Sequence, residues 1–214
     1  MSENFQMNYI QNLSSIFINH ENDEKVLRLL PYLRTLKCRI TNCYRYPAFG
    51  FLNRFESLNV SFHPSYVSND ISREVIDLHW NLRKPTLRNF DLSWKQMNII
   101  GMLPNLEVLK LRDDTIEGKM WDTREGEFHR LRYLEFDVVQ IEHWNASCNH
   151  FLRLERLVLQ SFQNFEIPFS LGDIPTLEKI EVHGCAKSVE VSTLQILEEQ
   201  RDMGNEDLKV IISH

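Results

Sequence analysis

Glu142, His143, Cys148 and His150 are the closest approach in this chain to a set of metal ligands. Carboxylate, imidazole and thiolate are the groups zinc takes, about four at a time in a tetrahedron. The spacing admits three of them around one ion, but no second ligand pair follows. A return segment leading into a strand at residue 157 accounts for Cys148 and His150 without a metal. Other chemistry is weaker still. The seven glycines form neither a G-x-x-x-x-G-K-[ST] loop nor a G-x-G-x-x-G turn, so no phosphate cradle is visible. No G-x-S-x-G elbow and no H-E-x-x-H pair appears. The reading is a non-enzymatic chain with no catalytic, cofactor-binding or metal-binding residues.

The elements that would position any functional side chain are set by a recurring comb, apolar-x-x-apolar-x-x-apolar-x-apolar. It runs through Leu103, Leu106, Leu109 and Leu111, then Phe128, Leu131, Leu134 and Phe136. Phe151, Leu154, Leu157 and Leu159 repeat it, as do Ile174, Leu177, Ile180 and Val182. Upstream, weaker combs start at Ile10, Leu30 and Leu52, and Leu87, Phe90 and Leu92 keep three positions of another. The third apolar positions fall at 16, 36, 58, 90, 109, 134, 157 and 180, with the widest step around His63 to Trp80 read as a longer loop. A period of this length and grammar predicts an α/β leucine-rich-repeat solenoid of about eight irregular repeats, with parallel strands on the concave face. Each unit is too small to bury its own apolar face, so neighbours stack.

The tail departs from the comb. Val189, Val191, Leu194, Ile196 and Leu197 suit an amphipathic helix over 188–203, with Ser188 or Ser192 as its cap and Gly204 at its C-terminal end. Leu208 to Ile212 reads as a short strand. The expected organisation is a solenoid over 1–187 and a helix and short strand over 188–214 that cap the last repeat. At the other end, Phe5, Met7 and Tyr9 are too few for a comparable cap, so the first strand is expected at an open edge.

Alternation along a strand sends the residue between the last two comb positions outward. Those residues are Phe17, Lys37, Asn59, Asp91, Lys110, Glu135, Val158 and Glu181. Just beyond each comb lie Asn19, Arg39, Ser61, Ser93, Arg112, Asp137, Gln160 and His183. With strands about 4.8 Å apart, Lys110 and Arg112 sit beside Glu135 and Asp137. Lys110, Arg112, Glu135, Asp137, Arg156, Lys179, Glu181 and His183 are therefore the candidate protein-binding residues of the concave face. Trp80, Trp94, Trp121 and Trp144 fall between combs, where packing explains them better than a binding role.

Charge bounds the partners. Twenty-four Lys and Arg against thirty Asp and Glu give a net charge of −6, which offers no basic stripe for nucleic acid. No apolar run approaches the roughly 18 residues of a membrane span, and residues 1–9 lack the apolar core of a signal peptide. Cys38 occupies a core position, Cys185 follows one, and Cys43 and Cys148 complete no framework spacing. Buried thiols in a reducing compartment, and hence a cytoplasmic location, are expected. The sequons at Asn12, Asn59 and Asn145 carry no weight in that setting.

Several segments resemble a known family: GMLPNLEVLKL (101–111), EGEFHRLRYLEF (125–136), IEHWNAS (141–147), HFLRLERLVL (150–159), IPFSLGDIPTLEKIEVHGC (167–185) and EEQRDMGNEDLKVIIS (198–213). They are similar to the C-terminal end of plant intracellular nucleotide-binding leucine-rich-repeat resistance proteins, closest to the late blight resistance protein homologues of the nightshade family. LRKPTLRNFDLSW (82–94) is similar too, and the likeness thins toward Met1. The resemblance implies recognition of a pathogen effector or a guarded host protein in plant defence. It also implies restraint of a nucleotide-binding switch domain that these residues do not contain. A substrate receptor of the F-box ubiquitin-ligase type is the alternative, but it wants a helical adaptor-binding segment of roughly 40 residues before its repeats.

Overall fold

A computed structural model describes residues 9–19, 21–41, 48–63, 77–90 and 92–214. Its strands and helices, in order, are β1 (Asn12–Ile18), α1 (Glu21–Leu27), β2 (Thr35–Thr41), β3 (Ser57–His63), β4 (Lys84–Arg88), β5 (Leu92–Ser93), α2 (Trp94–Gly101), β6 (Val108–Arg112), β7 (Ile116–Glu117), β8 (Met120–Asp122), β9 (Tyr133–Asp137), β10 (His143–Asn145), β11 (Arg156–Gln160), β12 (Lys179–His183), α3 (Lys187–Asp202) and β13 (Lys209–Ser213). Nine of the strands form one parallel sheet in the order β1-β2-β3-β4-β6-β9-β11-β12-β13, each pairing with the next along the chain. The fold is α/β with a largely parallel sheet and three α-helices among the described residues.

The comb explains each unit. Its first two apolar residues lie in a turn before the strand, closed by bonds such as Leu131 N–H to Phe128 O (2.9 Å) and Leu154 N–H to Phe151 O (3.0 Å). The last two alternate inward along the strand, so Leu134, Phe136, Leu157, Leu159, Ile180 and Val182 are fully buried. Each such side chain contributes about 1.5–3 kcal/mol of burial.

Two combs sit differently from the sequence reading. In β4, Leu87 pairs with Val60 and with Leu111, so Leu87 is the fourth comb residue rather than the second. The comb is His79, Leu82, Pro85 and Leu87, with Leu82 N–H closing the usual turn onto His79 O. Its step from Leu58 to Pro85 is 27 residues, shorter than the 32 expected. Residues 64–76 of the expected loop lie outside the described residues. A buried imidazole and a strand proline disguised this unit; burial holds the His79 pKa below its usual value, which favours the neutral ring. Thr86 and Arg88, not Asp91 and Ser93, therefore occupy the outward positions. Ser93 instead caps α2, and Asp91 lies outside the described residues. In β1 a bulge between Leu13 and Ile16 sets Ile16 beside Cys38 and Phe17 beside Arg39, one comb position from the expectation. Among the described residues β1 pairs only with β2; Phe5 and Met7 lie outside them.

The tail also differs in detail. β13 continues the ladder, with Val210 beside Ile180 and Ile212 beside Val182, and so supplies a ninth strand to the sheet. In α3, Val189 and Ile196 are buried and Leu197 packs against the core, but Val191 and Leu194 face outward. Ala186 is the N-cap, so neither Ser188 nor Ser192 caps the helix; the Ser192 hydroxyl accepts from Ile167 N–H at 3.1 Å. Gly204, at φ +85°, ends it as expected.

After β4, β6, β9, β11 and β12 the backbone turns through the left-handed region at Asn89, Asp113, Val138, Ser161 and Gly184. Each of these N–H groups donates to the last carbonyl of the following strand, from Arg112 O (3.2 Å) through Asp137 O (3.0 Å), Gln160 O (3.2 Å) and His183 O (3.0 Å) to Ser213 O (2.8 Å). Asn, Asp and Gly are the residue types that adopt this conformation readily. Val138, at φ +51°, is β-branched and strained there. Val138→Asn should stabilise the fold by about 1 kcal/mol, read as a higher urea midpoint, because αL costs an ordinary L-residue roughly 1–2 kcal/mol. An unchanged or lower midpoint would mean the turn is not held in this conformation.

Three of the four tryptophans form a column in the return segments. Trp94 stacks on Trp121 (centroids 5.0 Å) and Trp121 on Trp144 (4.8 Å), while Phe165 continues the stack beyond Trp144 (6.4 Å). Phe128, Phe136 and Phe151 meet Trp121 edge-on. Trp94 donates its N–H to Gly118 O at 2.7 Å. Trp80 stands apart, 65% exposed.

Candidate protein-recognition face

The ladder register brings the candidate residues together on the outward face of the sheet. Lys110 lies beside Glu135, and Arg112 beside Asp137. Arg156, Val158 and Gln160 on β11 lie beside Lys179, Glu181 and His183 on β12. Seven of the eight candidates then resolve into two clusters, each built around one carboxylate.

Glu135 holds the first. Its side chain is only 2% exposed, although it sits on the face that alternation sends outward. Lys110 Nζ is 3.0 Å from it, Arg112 forms a second ion pair, and the Tyr133 hydroxyl donates to it at 2.7 Å. The Tyr133 ring in turn lies under two cations, Lys110 at 4.7 Å and Arg156 at 5.4 Å from its centre. Burial would push the Glu135 pKa up, but these donors outweigh it and hold the carboxyl ionised below its usual range. The same burial, with the Glu135 charge alongside, pushes the Tyr133 phenol up, so it stays a donor.

Glu181 holds the second. Arg156 Nε lies 2.6 Å and Lys179 Nζ 2.9 Å from one carboxylate oxygen, and His183 Nε2 lies 3.3 Å from the other. His183 Nδ1 is 2.6 Å from the Ser213 hydroxyl on β13. A proton on Nε2, with Ser213 donating to Nδ1, satisfies all three groups. Burial again raises the Glu181 pKa, yet the bonds from Arg156, Lys179 and His183 bring it down to about 2.

That depression has a sign. A carboxyl whose folded pKa lies below its unfolded value stabilises the fold above the unfolded pKa, and the benefit goes as pH falls toward the folded one. Glu181 should therefore contribute stability, on the order of 2–3 kcal/mol, that is present at neutral pH and fades between about pH 4.5 and 2. Glu181→Gln should lower stability at pH 7 and flatten that part of the curve in urea titrations. A parallel curve for the two proteins would show that the cluster does not hold the charge.

Asp137 belongs to neither cluster. It is half-buried, and desolvation raises its pKa despite the nearby Arg112. Val158, buried between Glu135 and Glu181, separates the two carboxylates. The cations and His183 keep part of their surface exposed, so this half of the sheet presents charged rims whose counter-charges lie beneath them.

The metal-like group does not assemble around an ion. His143 is exposed in β10, whereas the His150 ring sits 2.7 Å from the Thr123 hydroxyl. No group of three or more His, Cys, Asp or Glu among the described residues could hold a metal ion. Cys38 is buried, which pushes its thiol pKa up to about 12 and leaves it unreactive; Cys148 and Cys185 are half-buried, and Cys43 lies outside the described residues.

One ordered feature escaped the sequence reading. The residue after the second apolar comb position is charged in seven successive units: Arg34, Glu56, Arg83, Glu107, Arg132, Glu155 and Glu178. The first six pair as Arg34–Glu56 (2.6 Å), Arg83–Glu107 (2.5 Å) and Arg132–Glu155 (2.6 Å) along one edge of the sheet. Exposed pairs of this kind add little stability. Their alternation disfavours a strand exchange that would set like charges together. The signal was an alternation of sign at a fixed comb position.

Compared with known proteins, the chain is 29% identical over 213 residues to one late blight resistance protein homologue of Solanum demissum. It is 33% identical over 204 residues to a second such homologue of the same plant. Both relatives are named as homologues of late blight resistance proteins. The resistance-protein likeness covers 95% and 92% of the chain in these two cases, so it reaches well upstream of residue 82, where the motifs thin. The chain spans 16% and 15% of the length of these resistance-protein relatives, and 26% of a third that is 31% identical over 212 residues. No protein-family model matches the chain. No helix among the described residues is long and apolar enough to cross a membrane.

Proposed function

We propose that this chain is a leucine-rich-repeat recognition module of a plant disease resistance protein. Its stacked units form a solenoid whose outward, concave sheet face binds a pathogen effector or a guarded host protein. In a full-length receptor the same module restrains a nucleotide-binding switch domain, and it works in the cytoplasm without catalysis. The organisation within the module is a repeat body over 1–187 closed by the helix and strand of 188–214. The observation that carries this reading is a ladder of nine parallel strands in chain order, in register from β2 onward, which lines up the outward side chains of successive units into rows. Names of the relatives supply the setting, since those proteins are named for late blight resistance.

Within the rows, Lys110, Arg112, Arg156, Lys179, His183 and Asp137 supply the contact groups. Glu135 and Glu181 act from beneath, holding the cations in place. The test uses outward residues outside both carboxylate clusters. Asp137→Lys with Gln160→Lys, placed in a full-length receptor carrying this module, should abolish or redirect effector-triggered cell death while the protein accumulates normally. An unchanged response at normal accumulation would remove this face from recognition.

A further inference from the structure

The outward face changes character along the sheet. Over β6 to β12 each cluster of cations encloses a carboxylate. Over β1 to β4 the face carries Lys37 and Arg39 on β2 and Arg88 on β4, with Asn59 and Ser61 between them on β3. Lys37 and Arg39 are exposed and make no ion pair with any described residue. Arg88 has one, to Asp113 at 3.3 Å, on the rim. These residues line a groove of about 700 Å³ on a chain whose net charge is negative. At its far side Phe17, 58% exposed, lies beside Arg39 in the ladder, and the bulge at Ser15 (φ +62°) opens the edge next to it.

We infer that this groove binds an acidic, extended segment of a partner protein, with an apolar side chain of that segment against Phe17. The inference rests on the reading of the outward face as a recognition surface and names the chemistry of what one half of it takes. The dimensions fit. Lys37 and Arg39 are two residues apart on one strand, about 7 Å, which matches the spacing of same-side residues in an extended peptide. Arg88 lies two strands away, about 10 Å. Carboxylates at alternate positions of the segment meet Lys37 and Arg39, and the residues that follow cross β3 to Arg88. Three cations around one acidic group give the net positive field that steers an acidic partner and selects against a basic one. The clusters farther along the sheet compete less for this role, because each sets its cations around a buried carboxylate, Lys110 and Arg112 on Glu135 and Arg156 and Lys179 on Glu181, which offsets part of their charge.

The test is fluorescence anisotropy with the whole chain and a short labelled peptide of alternating glutamate and leucine. A lysine–leucine peptide and a labelled oligothymidylate serve as comparisons. The Glu–Leu peptide should bind, with an affinity that falls as salt rises. Lys37→Glu with Arg39→Glu should weaken it about tenfold or more. Asp113→Asn, which releases Arg88 and suits the left-handed turn there, should tighten it. Arg201→Glu, exposed on α3, should change nothing. Unaltered thermal unfolding of the double variant would separate lost binding from lost fold. Absence of Glu–Leu binding, or binding indifferent to the Lys37 and Arg39 reversals, would overturn the inference. So would oligothymidylate binding as tightly at the same residues, since that marks a site for any polyanion. The receptor test with Asp137 and Gln160 stands or falls separately, because it reads the other half of the face.

Discussion

Trp121→Ala should be the most damaging single substitution in this chain. The indole is fully buried, stacks on Trp94 and Trp144, and meets Phe128, Phe136 and Phe151 edge-on. Removing a buried aromatic side chain costs about 3–5 kcal/mol when the site collapses incompletely. Here collapse is resisted because the neighbours come from the separate units of β4, β9 and β11. For a protein of this size each kcal/mol shifts the thermal midpoint by about 2–4 °C, so a fall on the order of 10 °C is expected by circular dichroism. Trp80→Ala, at an exposed site, should leave the midpoint nearly unchanged. Similar shifts for the two would mean that the column does not form.

Leu157→Ala should come next, at about 2–5 kcal/mol. Leu157 is the third comb residue of its unit, fully buried, and its strand lies between β9 and β12. The cavity would open where neighbouring units stack, so the loss falls on their cohesion as well as on local transfer energy. Gln160→Ala, at an outward position of the same strand and outside both carboxylate clusters, empties no core space, so its midpoint should move little. Differential scanning calorimetry of the two variants compares an inward with an outward position directly. Equal shifts would place both on the same side of the sheet and refute the register.

The comb was legible wherever leucine or phenylalanine filled it. From Leu103 onward, the third and fourth positions fall in the strands where the spacing puts them. Legibility failed where a residue of the wrong type does a core job. His79 is buried at a position that reads as polar, and Pro85 sits in a strand from which a proline argues away, so the pattern slid onto Phe90 and Leu92. In β1 one extra residue at Ser15 shifted the register, which alternation alone cannot detect. The candidate face was readable as a set of outward positions, but its burial was not. Glu135 becomes a buried carboxylate because Tyr133, Lys110 and Arg112 close over it, a contact between strands about two dozen residues apart. The alternating charges from Arg34 to Glu155 were visible all along and needed only to be read at fixed comb position.

If the outward sheet face is the recognition surface proposed above, a surface scan of a full-length receptor carrying these units will locate the response there. Charged substitutions would be placed at outward positions (Lys37, Arg39, Asp137, Gln160) and at exposed return-side positions (Met120, Leu152, Phe169). Effector-triggered cell death and protein accumulation would be measured for each. Recognition by the outward face should give loss of response at the outward positions, with normal accumulation, and an intact response at the return-side positions. Loss at Met120, Leu152 and Phe169 with an intact response at the outward set would contradict it.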